Sequence, residues 1–388
     1  MIEQRFTLSH RAQKILGFFL CMGIVALVLA FHHDPLRAWA NVLLNQFYFV
    51  SLSLGGVFFI AIHYLSNASW ATGLRRVPEA LIGYLGPAFL FGLLTYFGLH
   101  SLYHWTHADV VIADALLKHK SVYLNIPFYM ARLVLFFMIW IFCAKKLVRN
   151  SYLQDNDGQY AWTQQNLKYS AIFLVLFALT FTLASYDWIM SLEPHWYSTI
   201  FSVYTFAGLF LHAISAITLI VLILLALGVL KNVINENHLH DLGKLIFAFS
   251  TFWAYCWFCQ FMLIWYANIP EETTYFLSRL NGSWFYLFIF NVVANWLVPF
   301  FVLMTRRAKR NSIVLWFITL WLLMAHYLDL YLMVYPGTLK GVVFGFTEVF
   351  IFLGFGSLFL WIVFKGLQKV SLVPIRDPYF EESLHHHQ

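Results

Sequence analysis

The stretch from 184 to 212, ASYDWIMSLEPHWYSTIFSVYTFAGLFLH, sets Asp187, Glu193, His195 and His212 into otherwise apolar sequence. An ionisable side chain at the centre of a bilayer costs about 2.5 to 3.5 kcal/mol even on lenient insertion scales, so such groups persist where they work or are paired. Further along, His326 and Asp329 share one helical face, with Tyr327 and Tyr331 beside them, and Glu348 follows. Arg132 and His63 lie in other apolar segments. Unpaired carboxyls in low dielectric titrate nearer neutrality and histidine already titrates there, which is what a proton relay requires. The set reads as a ladder, with Glu193, Asp187, Asp329, His326 and Glu348 toward one side, His212 midway, and His63 and Glu79 toward the other. The plainer alternative is a group of buried carboxyls hydrogen-bonded to Ser185, Tyr186, Tyr204 or Tyr327 that only hold helices together.

The elements that must position these groups follow from composition. Apolar residues make up 61% of the chain, charged residues 11%, and mean hydropathy is +0.71, values that a soluble domain of this length cannot combine with a wettable surface. Ten apolar segments are each long enough to cross about 30 Å of hydrocarbon. They run over 12–31, 46–65, 80–99, 127–147, 166–187, 199–229, 243–267, 283–304, 312–335 and 343–365. The chain is therefore expected to be an all-α polytopic membrane protein, a single membrane domain over 1–388. Of the 24 Lys and Arg residues, 18 fall on one side of such a topology, from Arg5 and Arg11 to Lys369 and Arg376. The positive-inside rule then puts both termini in the cytoplasm. The net charge of +6 is a topology signal and does not point to nucleic acid. The first segment is read as a retained helix, although Ala38-Trp39-Ala40 imitates a signal cleavage site, because its apolar run is too long for an h-region.

Several local features bear on the ladder. Gly55-Gly56 allow close helix approach, and Gly83, Gly86-Pro87, Gly92 and Gly98 predict a kinked third helix. Ala108 to Leu117 suits a short interfacial helix in the longest outer loop, and Lys145 to Gln165 reads as a solvated cytoplasmic loop. Arg132 either snorkels to the outer interface or fixes Asp187 of the next helix; His63 is either an interfacial residue or the inner exit of the path. Cys256 and Cys259 form a CxxC inside an apolar segment, where packed thiols are expected. His385-His386-His387 is too short a run to define a metal site.

The second to fifth helices, 46–187, and the sixth to ninth, 199–335, have the same orientation sequence, which suggests a parallel repeat of two four-helix bundles with the first and tenth helices flanking them. Aligning Gly56 with Gly208 places Asp187 opposite Asp329. No phosphate-binding loop, nucleophile triad or zinc spacing is present, so catalysis by the chain alone is not expected. His63, His212 and His326 are the histidines within the apolar segments, and their sequence positions imply different depths, which argues against a bis-His haem.

Three stretches, SYDWIMSLEPHWYSTIF, FWAYCWFCQFMLIWYANIPEET and HYLDLYLMVYP, closely resemble the ActF-type membrane subunits of bacterial alternative complex III, a quinol:cytochrome c oxidoreductase, within the NrfD-like membrane family. The resemblance implies a ten-helix subunit of the bacterial inner membrane that takes part in respiratory electron transport and quinol oxidation without binding a cofactor itself. It implies a paralogous membrane partner, ActC, an iron-sulfur subunit carrying the clusters, c-type haem subunits, and a terminal cytochrome oxidase further along. Menaquinone or another quinone belongs to the complex, and its site chiefly to ActC. Asp187, His212, His326, Asp329 and Glu348 become candidates for proton translocation, with His63 and Arg132 at its ends. Two other readings of the same residues stay open: a secondary transporter built on the parallel repeat, and a scaffold subunit whose acids only join helices.

Overall fold

Among the described residues, ten helices are long and apolar enough to span a membrane, which makes this a multi-pass membrane protein. The computed structural model describes residues 6–387, with no strand among them; Arg5, part of the charge count, lies outside. The spans are α1 (His10–His33), α2 (Pro35–Leu65), α3 (Arg76–Leu102), α4 (Ile126–Asp157), α5 (Tyr160–Leu192), α6 (Phe201–Ala226), α7 (Glu236–Ala267), α8 (Trp284–Val302), α9 (Ser312–Thr338) and α10 (Phe346–Gln368). Large apolar side chains such as Phe97, Val175 and Phe301 cover the outside, as they do where lipid replaces water.

The two most enclosed spans are α2 and α6. They pack directly on each other, and α9 packs on both. A Cβ on Gly55 would lie 2.2 Å from the Cβ of Ala213, so the α2–α6 approach depends on that glycine.

Two expected boundaries are corrected. Helix α2 begins at Pro35, about three turns before the apolar segment at 46, because Arg37, Asn41, Asn45 and Gln46 turn into the protein and are not lost to water. The loop expected over Lys145–Gln165 is instead a helical hairpin: α4 runs to Asp157, Gly158 turns with φ 71°, and α5 starts at Tyr160. No Gly or Pro interrupts α4 after Pro127, so nothing ends it before the glycine cap. The short helix expected over Ala108–Leu117 is also split, into Ala108–Ala113 and Ala115–Lys120, because Asp114 is extended and caps the second piece through the Leu116 and Leu117 amides.

Two prolines shape the second half of the chain. A proline cannot donate to the carbonyl four residues back. Pro299 follows the π-helical turn Val293–Leu297, and the Asn295 carbonyl accepts from Ser250 Oγ of α7 at 2.7 Å instead. Pro336 leaves the Leu332 carbonyl of α9 to Arg279 Nε, which donates to it at 2.8 Å from the short helix Pro270–Leu280. Both repairs use side chains from neighbouring elements, so the broken helices are tied to their surroundings.

Candidate functional site

Asp329 is fully buried on α9, and three neighbouring spans each send it one neutral donor. Tyr204 of α6 and Asn291 of α8 bond Oδ1, the latter at 2.8 Å, and Trp253 Nε1 of α7 bonds Oδ2 at 3.0 Å. No Lys or Arg pairs with this carboxyl among the described residues, whereas the buried Asp187, Glu348, Glu79 and Asp377 each have an arginine. Asn295, one turn below Asn291, donates to its side-chain oxygen at 2.8 Å and to the Ala325 carbonyl at 3.2 Å, which fixes the amide that faces Asp329.

His326 lies one turn before Asp329, its Nδ1 3.8 Å from the Asp329 Oδ2. Its imidazole rests against α6 at Gly208, where a Cβ would come within 2.7 Å of His326 Cε1. Above it stacks the His212 ring, with centroids 4.3 Å apart, and Tyr48 of α2 covers His212 at 4.4 Å. Tyr48 is held by its hydroxyl, which donates to the Leu323 carbonyl at 3.0 Å. Both histidines are buried, and none of their four ring nitrogens has a hydrogen-bond partner among the described residues. Sequence position had implied different depths for His212 and His326; antiparallel α6 and α9 bring them level instead. Their contact leaves no room for an iron between the rings, so the pair does not fit a bis-His haem.

Toward the short helix Pro270–Leu280, Asp329 borders a narrow cleft of about 10 Å³, together with Tyr204, Gln260, Asn291, Tyr275 and Arg279. Gln260 Nε2 is buried there without a hydrogen-bond partner among the described residues. Arg279, also buried, joins the α9 carbonyls to Glu193, whose carboxylate accepts from it at 2.8 Å. Burial pushes the Tyr275 phenol up to about 12, while Arg279 over its ring pulls the other way.

The remaining candidates are not part of this cluster. Asp187 is gripped by Arg132 through two bonds of 2.7 and 2.9 Å, and the Tyr123 and Phe128 rings both lie against the guanidinium. Of the two readings of Arg132, the structure gives the ion pair. Close to Asp187 in the chain, Trp188 and Phe181 of α5 pack against Phe47 of α2, and among the described residues no hydrogen bond links the pair to the histidines. Glu348 sits in the first turn of α10, where it accepts from Arg37 at 2.7 and 2.6 Å and caps its own helix through the Gly345 amide. Glu79 pairs with Arg76, which also holds Ser151 and Asp155 of α4. His63 is 15 residues beyond Tyr48 on α2, a rise of about 22 Å, and its ring bonds the Phe59 carbonyl and stacks on the Phe59 ring. On the way, Ser53, Ser215 and Thr218 donate to their own helices. The ladder thus breaks into three separate groups, the Asp187–Arg132 ion pair, the cluster around Asp329 with the two histidines, and His63.

Several contributors escaped the sequence reading: Trp253, Asn291 and Asn295 at Asp329, Tyr48 at His212, Arg37 at Glu348 and Arg279 at the cleft beside Asp329. A signal existed for some. Asn recurs at i, i+4 in two spans, Asn41 with Asn45 and Asn291 with Asn295, a buried polar face that apolar scoring overlooks.

No protein-family model and no curated protein matches this chain.

Proposed function

We propose that the chain is an integral membrane subunit of a quinol:cytochrome c oxidoreductase of the alternative complex III kind. In this reading it sits in the bacterial inner membrane with cytoplasmic termini, beside a paralogous membrane subunit and partners that carry haem c and iron-sulfur clusters. Its own part is to exchange protons at Asp329, His326 and His212. The resemblance of the three stretches around Asp187, Cys256 and Asp329 supports the assembly. The absence of a cation at Asp329, among the described residues, carries the assignment of the proton site.

The buried acids differ in what a proton would cost them. Protonating Asp187 breaks a buried bidentate pair, a loss of about 3 to 5 kcal/mol if it resembles removal of one partner. Asp329 has only neutral donors, so gain or loss of a proton there leaves no arginine stranded. The adjacent imidazoles add two groups with free ring nitrogens within contact of one another. Asp187, Arg132, Glu348 and Arg37 are accordingly assigned to holding helices, which keeps the scaffold reading for that part of the candidate set.

The test is the intact complex in sealed liposomes, given quinol and cytochrome c. Asp329→Asn is expected to keep haem absorbance in the purified material and to lose most proton translocation. Undiminished translocation in that variant would remove the proposal. A chain that purifies without haem and binds a solute would favour the transporter reading instead.

A further inference from the structure

A second feature lies at the opposite end of the molecule, where α3, α4 and α10 line an open cleft of about 1030 Å³. Lys145 and Arg149 project from one face of α4, and Lys365 and Lys369 from the end of α10 opposite them. Each pair is spaced i, i+4, an arrangement in which like charges repel on a helix surface. None of the four has a hydrogen bond or ion pair among the described residues. Glu79 also reaches the cleft, but Arg76 already holds its carboxylate at 2.6 Å. The lining between the cations is apolar, from Leu85, Phe89, Ile141 and Ile362, and the exposed Gly83 and Gly86 of α3 leave it open.

We propose that this cleft binds a phospholipid carrying two phosphates, of the cardiolipin kind, with one phosphate at each cationic pair and the acyl chains along the apolar lining. Charge complementarity decides the occupant. Four cations without counterions face one another across a groove that continues into hydrocarbon, and a basic pocket between spans on the cytoplasmic side suits a polyanionic headgroup. A soluble anion would satisfy the cations and leave the apolar lining bare. A lipid with one phosphate would satisfy one pair.

The test is native mass spectrometry of the full chain in mild detergent, titrated with cardiolipin, phosphatidylglycerol or inorganic pyrophosphate. One cardiolipin is expected to bind at least about tenfold more tightly than phosphatidylglycerol, with pyrophosphate failing to displace it. The double variant K145Q/R149Q should weaken cardiolipin about thirtyfold, at the usual contribution of each basic residue near a membrane surface. G86L changes no charge, and a Cβ there meets no atom within 4 Å, so it fills the groove without disturbing the fold and should also weaken the lipid. Thermal unfolding in lipid-free detergent checks that each variant is folded; if K145Q/R149Q is not, K365Q/K369Q and G86L carry the test. Equal affinity for the two lipids, displacement by pyrophosphate, or unchanged binding in the folded variants would overturn the proposal. So would an assembled complex that retains no cardiolipin because a protein segment fills the cleft.

Discussion

The imidazoles of His212 and His326 lie 4.3 Å apart, tilted by 32°, between two helices whose order in the chain gives no hint that these residues meet. Gly208 makes the contact feasible, because any side chain there would occupy the space of the His326 ring. Gly208→Ala should therefore destabilise the protein by about 1 to 3 kcal/mol through overpacking. His326→Ala in the same chain should recover most of that loss. Thermal unfolding of both single variants and the double would show this as strong non-additivity, and simple additivity would mean that the ring does not rest on Gly208.

Asp187 and Arg132 should behave as a structural pair. Removing one partner, as in Arg132→Met, leaves a buried carboxylate unmatched, with a loss of about 3 to 5 kcal/mol. Arg132→Lys should restore little, since a lysine cannot make the two parallel bonds. The yield and unfolding temperature of the purified variants measure this, while turnover per assembled complex should change little.

Arg279 replaces the hydrogen bond that Pro336 denies to Leu332. Arg279→Gln alone should lower stability, by about 1 to 3 kcal/mol for the unsatisfied carbonyl and the loss of the Glu193 contact. Adding Pro336→Ala supplies a backbone N–H to the same carbonyl and should return part of the loss. Equal losses in the single and double variants would show that the carbonyl is not what Arg279 serves.

The loops that follow α3 and α5 carry a pH-dependent tie. His195 hydrogen-bonds Asp114 at 2.6 Å and, with the Leu117 amide, holds the Asp114 carboxyl below its ordinary 3.8. A group depressed in the folded state contributes above its unfolded value, and that contribution fades as pH falls through the folded one. Hydrogen exchange over 108–123 should stay protected down to about pH 4 and lose protection below it. Asp114→Asn, which keeps the helix cap, should show the weaker protection already at neutral pH.

Ten spans were legible in the sequence because long apolar runs have few other folds open to them. Asp329 and His326 stood out as ionisable residues at helical spacing inside such a run. What surrounds Asp329 was not legible, because Tyr204, Trp253 and Asn291 lie on three other helices and converge only when these pack. The start of α2 was missed for a related reason. Arg37, Asn41 and Asn45 look like a loop to an apolar count, yet they form one face turned inward toward Glu348 and the helix's own carbonyls. The continuous ladder failed because ionisable groups at successive depths were assumed to share one interior, whereas Phe47, Phe181 and Trp188 pack beside Asp187 and set it apart.

Redox-induced infrared difference spectra of the assembled complex test the central claim most directly, since they report a carboxyl that gains or loses a proton during quinol oxidation. The account predicts a carboxyl C=O band that shifts in heavy water, disappears in Asp329→Asn and persists in Asp187→Asn. A band that survives Asp329→Asn and vanishes with Asp187→Asn would contradict it.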